Sequence, residues 1–358
     1  MTLALSDMNT HEYEAPKISI ILLNWNNWKD TLDCLHSLHQ ITYPRYEVII
    51  VDNGSTDGSL EKIRGYYAQV STADRLSGNS SEEADLTSAS DRVHNGEKPE
   101  YKPIGNDGFE IRGVTLIGNE ENRGYAEGNN VGIRLARKRG SDAVVLLNND
   151  TIVDPQFLTE LVKAYEHQPS AGFFGPKVYY CENNGRKDVI SFAGGICKKW
   201  PGRCYPIGKN EVDTGQFDAI REVDYVEGSC LMVRAEMIDN IGLLDPTFFA
   251  YWEDIDWCVR GKRAGYTSIY VPGARVWHKI SAANVGKANI YFMARNRFWF
   301  MKRHLSPTQY RLFLLYFFTW PFWQISASLV FYRRSLLSLQ RFWLGTFHGV
   351  RRQQGTIS

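Results

Sequence analysis

The stretch AVVLLNNDTIVDP, residues 143–155, drives five apolar residues straight into Asn148, Asn149 and Asp150. An apolar run without alternation is what a strand covered on both faces looks like, and such strands belong to parallel sheets. The amides and carboxylate at its end either make an ordinary turn or furnish binding groups at the carboxyl edge of a sheet, where open α/β sheets hold ligands. Similar runs recur upstream in KISIILLNW (17–25), YEVIIVDNGSTDGS (46–59) and VTLIG (114–118). Apolar residues at helical spacing fill 28–40, the second half of 119–140 reads as a helix ended by Gly140, and 155–167 reads as a helix with a proline in its first turn. Strands alternating with helices through right-handed crossovers make the first half an α/β domain with a mostly parallel sheet.

That pattern fails in two places. Residues 68–110 are Ser- and charge-rich without apolar periodicity and read as a mobile insertion in a connection. Residues 178–225, rich in Gly, Lys and Tyr, read as irregular hairpins over the sheet, on the acceptor side.

Charge is distributed unevenly along the 358 residues. The formal net charge is +1, yet 16 of the 41 Lys/Arg and none of the 40 Asp/Glu lie after Asp256, which leaves the first 256 residues at −15. A basic tail calls for an anionic partner. Within it, 291–304 reads as an aromatic, basic helix, and 312–332 runs 21 residues without a charge between Arg311 and Arg333. That length suits a bilayer-spanning helix, whereas Pro321, Gln324 and positive charge at both ends suit a kinked segment lying in or dipping into the membrane; a buried aromatic hairpin is the remaining option. The apolar segment argues against nucleic acid as the anionic partner. The six scattered cysteines read as core thiols of a reducing compartment, with a Cys197–Cys204 bridge as the alternative, and the N-terminal residues lack the pattern of a secretory signal.

Six strings, SIILLNWNN, VIIVDNGSTDGS, NRGYAEGNNVGI, LLNNDT, VEGSCLMVRAEMIDNIGLLDPTFFAYWEDIDWCVRGKRAGY and VWHKISAA, occur in an order that resembles family 2 glycosyltransferases of the GT-A fold, in particular a rhamnosyltransferase-like branch. The resemblance covers about 18–281 and implies a domain over 17–288, followed by a helical membrane-associated region over 289–358. It implies that Asp52 meets the base of a nucleotide-sugar, with Asn24 and Trp25 on the adjoining loop. Arg123, Gly124 and Gly128 would admit the nucleotide closely, beside Asn129. Asp150 matches the last carboxylate of a D-x-D metal motif for Mg²⁺ or Mn²⁺, hard cations that bridge diphosphate oxygens. The first position of that motif is Asn148, with Asn149 between, so one formal charge is missing. His278 stands where the family often has a histidine available to metal or diphosphate, with Lys279, Arg275 and Ser281 as weaker diphosphate candidates.

By the same resemblance Asp254 is the catalytic base of an inverting transfer and Glu253 holds sugar hydroxyls. A carboxylate against aromatic walls has its pKa tuned for proton abstraction, although acidic residues also favour a helix N-terminus through its dipole alone. The implied acceptor is a lipid-linked or growing glycan at the cytoplasmic face of the cell membrane. A sugar-1-phosphate nucleotidyltransferase would need a Gly-rich basic loop near Asn24–Asp30 that is absent, and a non-catalytic nucleotide- or glycan-binding scaffold is the non-enzyme alternative. No P-loop and no G-x-G-x-x-G after the first strand is present.

Overall fold

The computed structural model describes residues 14–66, 102–103, 109–111, 114–198, 202–279 and 287–353. Four strands form the parallel centre expected: β1 (Ile18–Asn24), β2 (Tyr46–Asp52), β5 (Val114–Gly118) and β6 (Ala143–Asn148). Along β1, Ile18, Ile20 and Leu22 pack into one core while Ile21 enters the other, so the two-residue period divides a continuous apolar run between two faces. The first core is closed by α1 (Trp28–Leu38) and α3 (Phe157–His167) through Leu35, Leu38, Phe157 and Leu161; the second is closed by α2 (Gly124–Lys138) through Ala126 and Ile133.

Pro155 precedes α3 by two residues instead of lying inside its first turn, and α2 starts at Gly124, earlier than the sequence pattern indicates. Gly128 and Gly132 explain that early start. A Cβ on either would come within 2.6 Å of Leu23 or Ile21, so α2 lies directly on β1 by virtue of the side chains it lacks.

The sheet continues on both sides of this centre. Short strands β3 (Lys102–Pro103) and β4 (Phe109–Ile111) extend it beyond β5, so the end of the expected insertion is part of the sheet edge; residues 68–101 lie outside the described residues. On the other side, β13 (Cys230–Arg234) runs antiparallel between β6 and β8 (Ala171–Tyr180), and β14 (Thr267–His278) runs parallel to β8. Three short strands complete this half, with β7 (Thr151–Val153) and β12 (Arg221–Val223) on β14 and β9 (Ile190–Phe192) on β8. The region expected to be irregular thus contains ordered strands and one separate hairpin, β10 (Gly195–Lys198) with β11 (Arg203–Pro206). Cys197 and Cys204 face each other across that hairpin and are joined as a disulfide, while Cys34, Cys181, Cys230 and Cys258 are free.

After β13 come α4 (Ala235–Ile241), a turn of 3-10 helix at Pro246–Phe248, and α5 (Glu253–Arg263). Four helices end the described chain: α6 (Lys287–His304), α7 (Pro307–Thr319), α8 (Pro321–Phe331) and α9 (Leu336–Arg351). They share a third apolar cluster with Phe248, Trp252 and Val259, so the C-terminal helices are fastened to the loop and helix carrying the acidic string. Asp256, fully buried on α5, receives Arg260 from its own helix and Arg303 and His304 from α6. α9 lies close along α6, where a Cβ on Gly345 or Gly349 would collide with the backbone of Tyr291 or Arg295. The apolar stretch Pro307–Phe331 has the length and hydropathy of a membrane span, but Pro321 divides it into α7 and α8.

Candidate active site

Register brings the polar strand ends together. Asn24 pairs with Asp52, Asp52 with Gly118, and Leu23 with Asn148, so the carboxyl ends of β1, β2, β5 and β6 form one edge. Because β13 is antiparallel to β6, with Cys230 opposite Leu147, the residues just before it, Glu227–Ser229, reach the same edge from the other direction.

Asn24 ties this edge together. Its buried amide donates to Asp52 Oδ1 (2.6 Å) and Ser55 Oγ (3.2 Å), and its oxygen accepts from Thr31 Oγ1 (2.9 Å) and Asn149 Nδ2 (3.1 Å). Every donor and both acceptor positions of the side chain are used within the protein. Asn24 and Asn149, expected to meet the nucleotide, therefore act by holding Asp52 and the β6 turn in place. Asp52 is 2 % exposed, and its second oxygen accepts only the Ser55 N–H, at 3.1 Å, among the described residues. Trp25 is 54 % exposed beside it, and the Arg123 side chain is also exposed.

Two of the glycines expected at the nucleotide also serve protein packing. At Gly124 (φ +77°) a Cβ would meet the Phe249 carbonyl oxygen at 2.5 Å, and at Gly128 it would meet Leu23. Asn129 is buried on α2, donating to Tyr125 O while its own oxygen has no partner among the described residues.

At the end of β6, Asp150 Oδ1 lies 3.0 Å from His278 Nε2, and Asn148 Nδ2 is 3.5 Å from the same nitrogen. Burial pulls the His278 pKa down, but the hydrogen bond and charge of Asp150, with the charge of Glu227, outweigh it and leave the imidazole above its ordinary value. Lys279 is ion-paired to Asp30 and Asp33 of α1, Arg275 is exposed, and Ser281 lies outside the described residues.

Among the described residues no group of three or more His, Cys, Asp or Glu side chains gathers to enclose a metal. Asp150 and His278 are nevertheless an oxygen and a nitrogen donor brought together at this edge, and Mg²⁺-like ions are commonly held by one or two protein groups with the remainder from phosphate and water.

Asp254 sits in the first turn of α5, where its oxygens accept from the backbone N–H groups of Gly228 (2.9 Å) and Ile255 (2.7 Å). Burial raises its pKa, and the two N–H groups moderate the rise. Glu253, expected to grip sugar hydroxyls, is only 4 % exposed, and one of its oxygens has no partner among the described residues. Burial and the charge of the adjacent Asp254 raise its carboxyl above the ordinary value.

The approach to this pair is conformationally strained. Phe249, Tyr251 and Trp252 have φ of 65°, 68° and 78°, left-handed values that large side chains rarely adopt. Asn296 of α6 holds that segment by donating to the carbonyls of Phe248, Ala250 and Tyr251, each at 2.8 Å, and Arg295 donates to Phe248 O. The sequence gives no hint of this role, because the contacts run from side chain to backbone across some 45 residues. It also passes over Glu227, whose carboxyl is hydrogen-bonded by Ser229 and whose charge is felt by His278. The VEGS string marks the spot, but only the antiparallel return of β13 places it between His278 and Asp254.

Comparison with known proteins agrees with this architecture. A family model described as glycosyltransferase like family 2 matches residues 106–298, more than half of the chain, and one described as glycosyl transferase family 2 matches residues 19–75. The chain is 26 % identical over 151 residues to a low-salt glycan biosynthesis hexosyltransferase of Haloferax volcanii, covering 42 % of this chain and 47 % of that protein. It is 28 % identical over 181 residues to an N-acetylglucosaminyl-diphospho-decaprenol L-rhamnosyltransferase of Mycobacterium tuberculosis, covering 46 % and 58 %. The chain thus spans about half the length of these curated relatives. Among solved structures, the mannosyltransferase of Pyrobaculum calidifontis in complex with GDP-Man and Mn²⁺ superimposes with a TM-score of 0.53 at 14 % identity, covering 96 % of this chain and 89 % of that one. This likeness is one of fold, and it bears out the GT-A architecture. Since two family models fall in order over the very strands and loops that build this site, the chain belongs to glycosyltransferase family 2.

Proposed function

We propose that the protein transfers a sugar from a nucleotide-sugar donor to a lipid-linked or glycan acceptor, with inversion at the anomeric carbon and with help from a divalent ion. The observation that carries this reading is the setting of Asp254. Its carboxylate is fixed by two backbone N–H groups at the mouth of α5, and burial raises its pKa towards the range useful for a base.

Asp254 takes the acceptor hydroxyl proton. The acceptor oxygen then bonds to the anomeric carbon from the face opposite the leaving group, and the electron pair of the broken bond departs with the nucleoside diphosphate. Glu253, buried beside Asp254 with one carboxyl oxygen unpaired among the described residues, is the group available to an acceptor or donor hydroxyl. Asp52, held by Asn24 and Ser55, accepts from a base N–H, with Trp25 available on the same edge. Asp150 and His278 are the residues that would hold Mg²⁺ or Mn²⁺, which when bound neutralises charge on the leaving diphosphate. The Mn²⁺ and GDP-Man in the solved structural neighbour, and the sugar transferases among the relatives, support this assignment.

On this reading 17–288 is the transferase domain and 289–358 meets the cytoplasmic face of the membrane. The surface of α7–α9 supports contact: Leu315, Trp320, Trp323, Phe331, Tyr332 and Leu336 are each more than half exposed, and the apolar side chains are flanked by arginines. With Pro321 breaking α7 from α8 and arginines at both ends of the stretch, we assign the two helices to the interface. A calorimetric screen of nucleotide sugars with and without Mn²⁺ tests the donor half. Micromolar binding that needs the ion is expected, and absence of binding by every nucleotide sugar would leave only the scaffold reading.

A further inference from the structure

A cavity of about 900 Å³ lies apart from the Asp52–Asp150 edge, between the β10–β11 hairpin and the C-terminal helices. It is at the upper end of the range for small-ligand sites, roughly 300–1,000 Å³. Much of its wall is apolar, including Ile325, Leu329 and Phe342, while Arg203, Arg297 and Arg333 supply positive charge and no carboxylate lines it. Trp252, the residue immediately before Glu253, forms part of the same wall. The cavity thus shares Trp252 with the segment that leads into the acidic pair, and its wall includes residues of α7, α8 and α9.

Two buried donors in this wall lack partners: Trp252 Nε1 and Arg297 Nε have no hydrogen-bond acceptor among the described residues. Arg297 is partly buried with its guanidinium over the Phe317 ring, and among the described residues only one of its nitrogens is hydrogen-bonded, donating to Gly202 O at 2.8 Å. Burial and the nearby Arg203 lower its pKa to about 10, which still leaves it charged at neutral pH. A buried guanidinium without a carboxylate is costly unless an anion joins it. The wall thus combines unpaired donors and positive charge with hydrocarbon surface.

We propose that this cavity binds a phosphate-bearing lipid, its phosphate oxygens taken by Arg297 with Arg203 and Arg333 and its hydrocarbon chain lying along Ile325, Leu329 and Phe342. This deepens the transferase reading by naming the acceptor class: a sugar hydroxyl carried on a lipid phosphate would be presented to Asp254 past Trp252.

The test is a titration of the full chain in detergent with farnesyl phosphate, farnesol and inorganic phosphate, run in EDTA so that no ion assembles phosphate at Asp150. Farnesyl phosphate is expected to bind at least tenfold more tightly than either fragment. Arg297→Gln, which removes a charge-assisted contact, should weaken it about 10- to 100-fold. Since R297Q also loses the bond to Gly202, two variants at exposed positions accompany it: Arg333→Gln, and Ser328→Trp to fill the cavity mouth. Both should weaken the lipid phosphate while leaving the thermal midpoint and nucleotide binding unchanged. Equal binding of farnesol would reduce the cavity to an apolar pocket, equal binding of inorganic phosphate would make it a free-anion site, and unchanged affinity in all three variants would place the lipid elsewhere; each result overturns the proposal. The two readings separate cleanly. Lipid phosphate binding without sugar transfer from any nucleotide sugar would sink the transferase and keep the cavity, whereas transfer to a water-soluble glycan unaffected by S328W, with no lipid binding, would do the reverse.

Discussion

Replacing Asp254 with Asn tests the chemistry most directly. The substitution is nearly isosteric but removes the group that accepts a proton. General-base catalysis is worth about 10²- to 10⁴-fold, so turnover should fall by that factor, equivalent to roughly 3–5 kcal/mol of barrier. The structure adds a second consequence. Asp254 uses both oxygens, one for Gly228 N–H and one for Ile255 N–H, whereas asparagine has a single acceptor. One backbone donor is left opposite an NH₂ group, at a cost in stability of about 1–3 kcal/mol. Rate and melting temperature must therefore be measured together, with donor binding as a control that should not move. The wild-type pH profile supplies an independent readout. Because burial raises the Asp254 carboxyl and Glu253 adjoins it, the pair titrates as a unit above the usual carboxylate value of about 4, and activity should climb with pH across that limb. In D254N the residual activity should lose this limb. A folded D254N enzyme that keeps more than about a tenth of wild-type turnover, with the same acid limb, would refute Asp254 as the base.

Other perturbations probe the surroundings. Asp150→Asn weakens the hold on the divalent ion by about 1.5–3 kcal/mol, so the Mn²⁺ needed for half-maximal activity should rise at least about tenfold; an unchanged requirement would place the ion elsewhere. Asn296→Ala leaves three carbonyls of the strained segment without their shared donor and should reduce turnover about tenfold with a lowered melting temperature, a combination that an inert structural site would not give. Asp256→Asn breaks a buried ion-paired cluster joining α5 to α6 and should cost about 3–5 kcal/mol in denaturation experiments. Although burial alone would raise it, His304, Arg303 and Arg260 hold the Asp256 carboxyl below its ordinary value. Its contribution is therefore present at neutral pH and should fade as pH drops from about 4 towards that lower folded value. Changing Trp320, Trp323 and Phe331 together to Ser should abolish sedimentation with anionic vesicles; undiminished sedimentation would remove α7–α9 from the membrane contact.

The strands were legible because each is a short apolar run ended by polar residues, a pattern that burial on both faces enforces. The same signal pointed to the loops carrying Asp52 and Asp150, since the carboxyl ends of parallel strands share an edge; Asp254 and His278 were singled out only by the family resemblance, because one lies in the first turn of a helix and the other ends a strand far along the chain. Residue roles were less legible. Gly124 and Gly128 looked only like room for a ligand because a missing side chain carries no information about what packs against it; Phe249 and Leu23 do so. Asn24 and Asn149 looked like ligand-binding amides, yet the number of hydrogen bonds an amide already makes cannot be read from sequence. Left-handed backbone at Phe249, Tyr251 and Trp252 was invisible for a different reason: such residues occupy that region only when tertiary contacts force them, and here the force comes from Asn296, far along the chain.

Hydrogen-bond accounting also separates the two halves of the site. On the donor edge, Asn24, Asn53 and Asn149 all spend their amides on protein partners, which fixes Asp52 and the β6 turn before any ligand arrives; Asn129 Oδ1 and His278 Nδ1 are buried there without partners among the described residues. On the other side, a Glu253 oxygen and two donors of the cavity wall, Trp252 Nε1 and Arg297 Nε, are buried and unpaired among the described residues. An unmade buried hydrogen bond costs about 1–3 kcal/mol, so a ligand that pairs them gains by binding. A prebuilt edge suits a nucleotide whose shape is the same at every turnover. Unpaired groups on the other side suit a partner that brings its own acceptors and donors, as a sugar on a lipid phosphate would. Pairing those groups on arrival is a source of binding energy available only when the acceptor is in place, and Trp252, in the cavity wall and directly before Glu253–Asp254, is where that energy would reach the base.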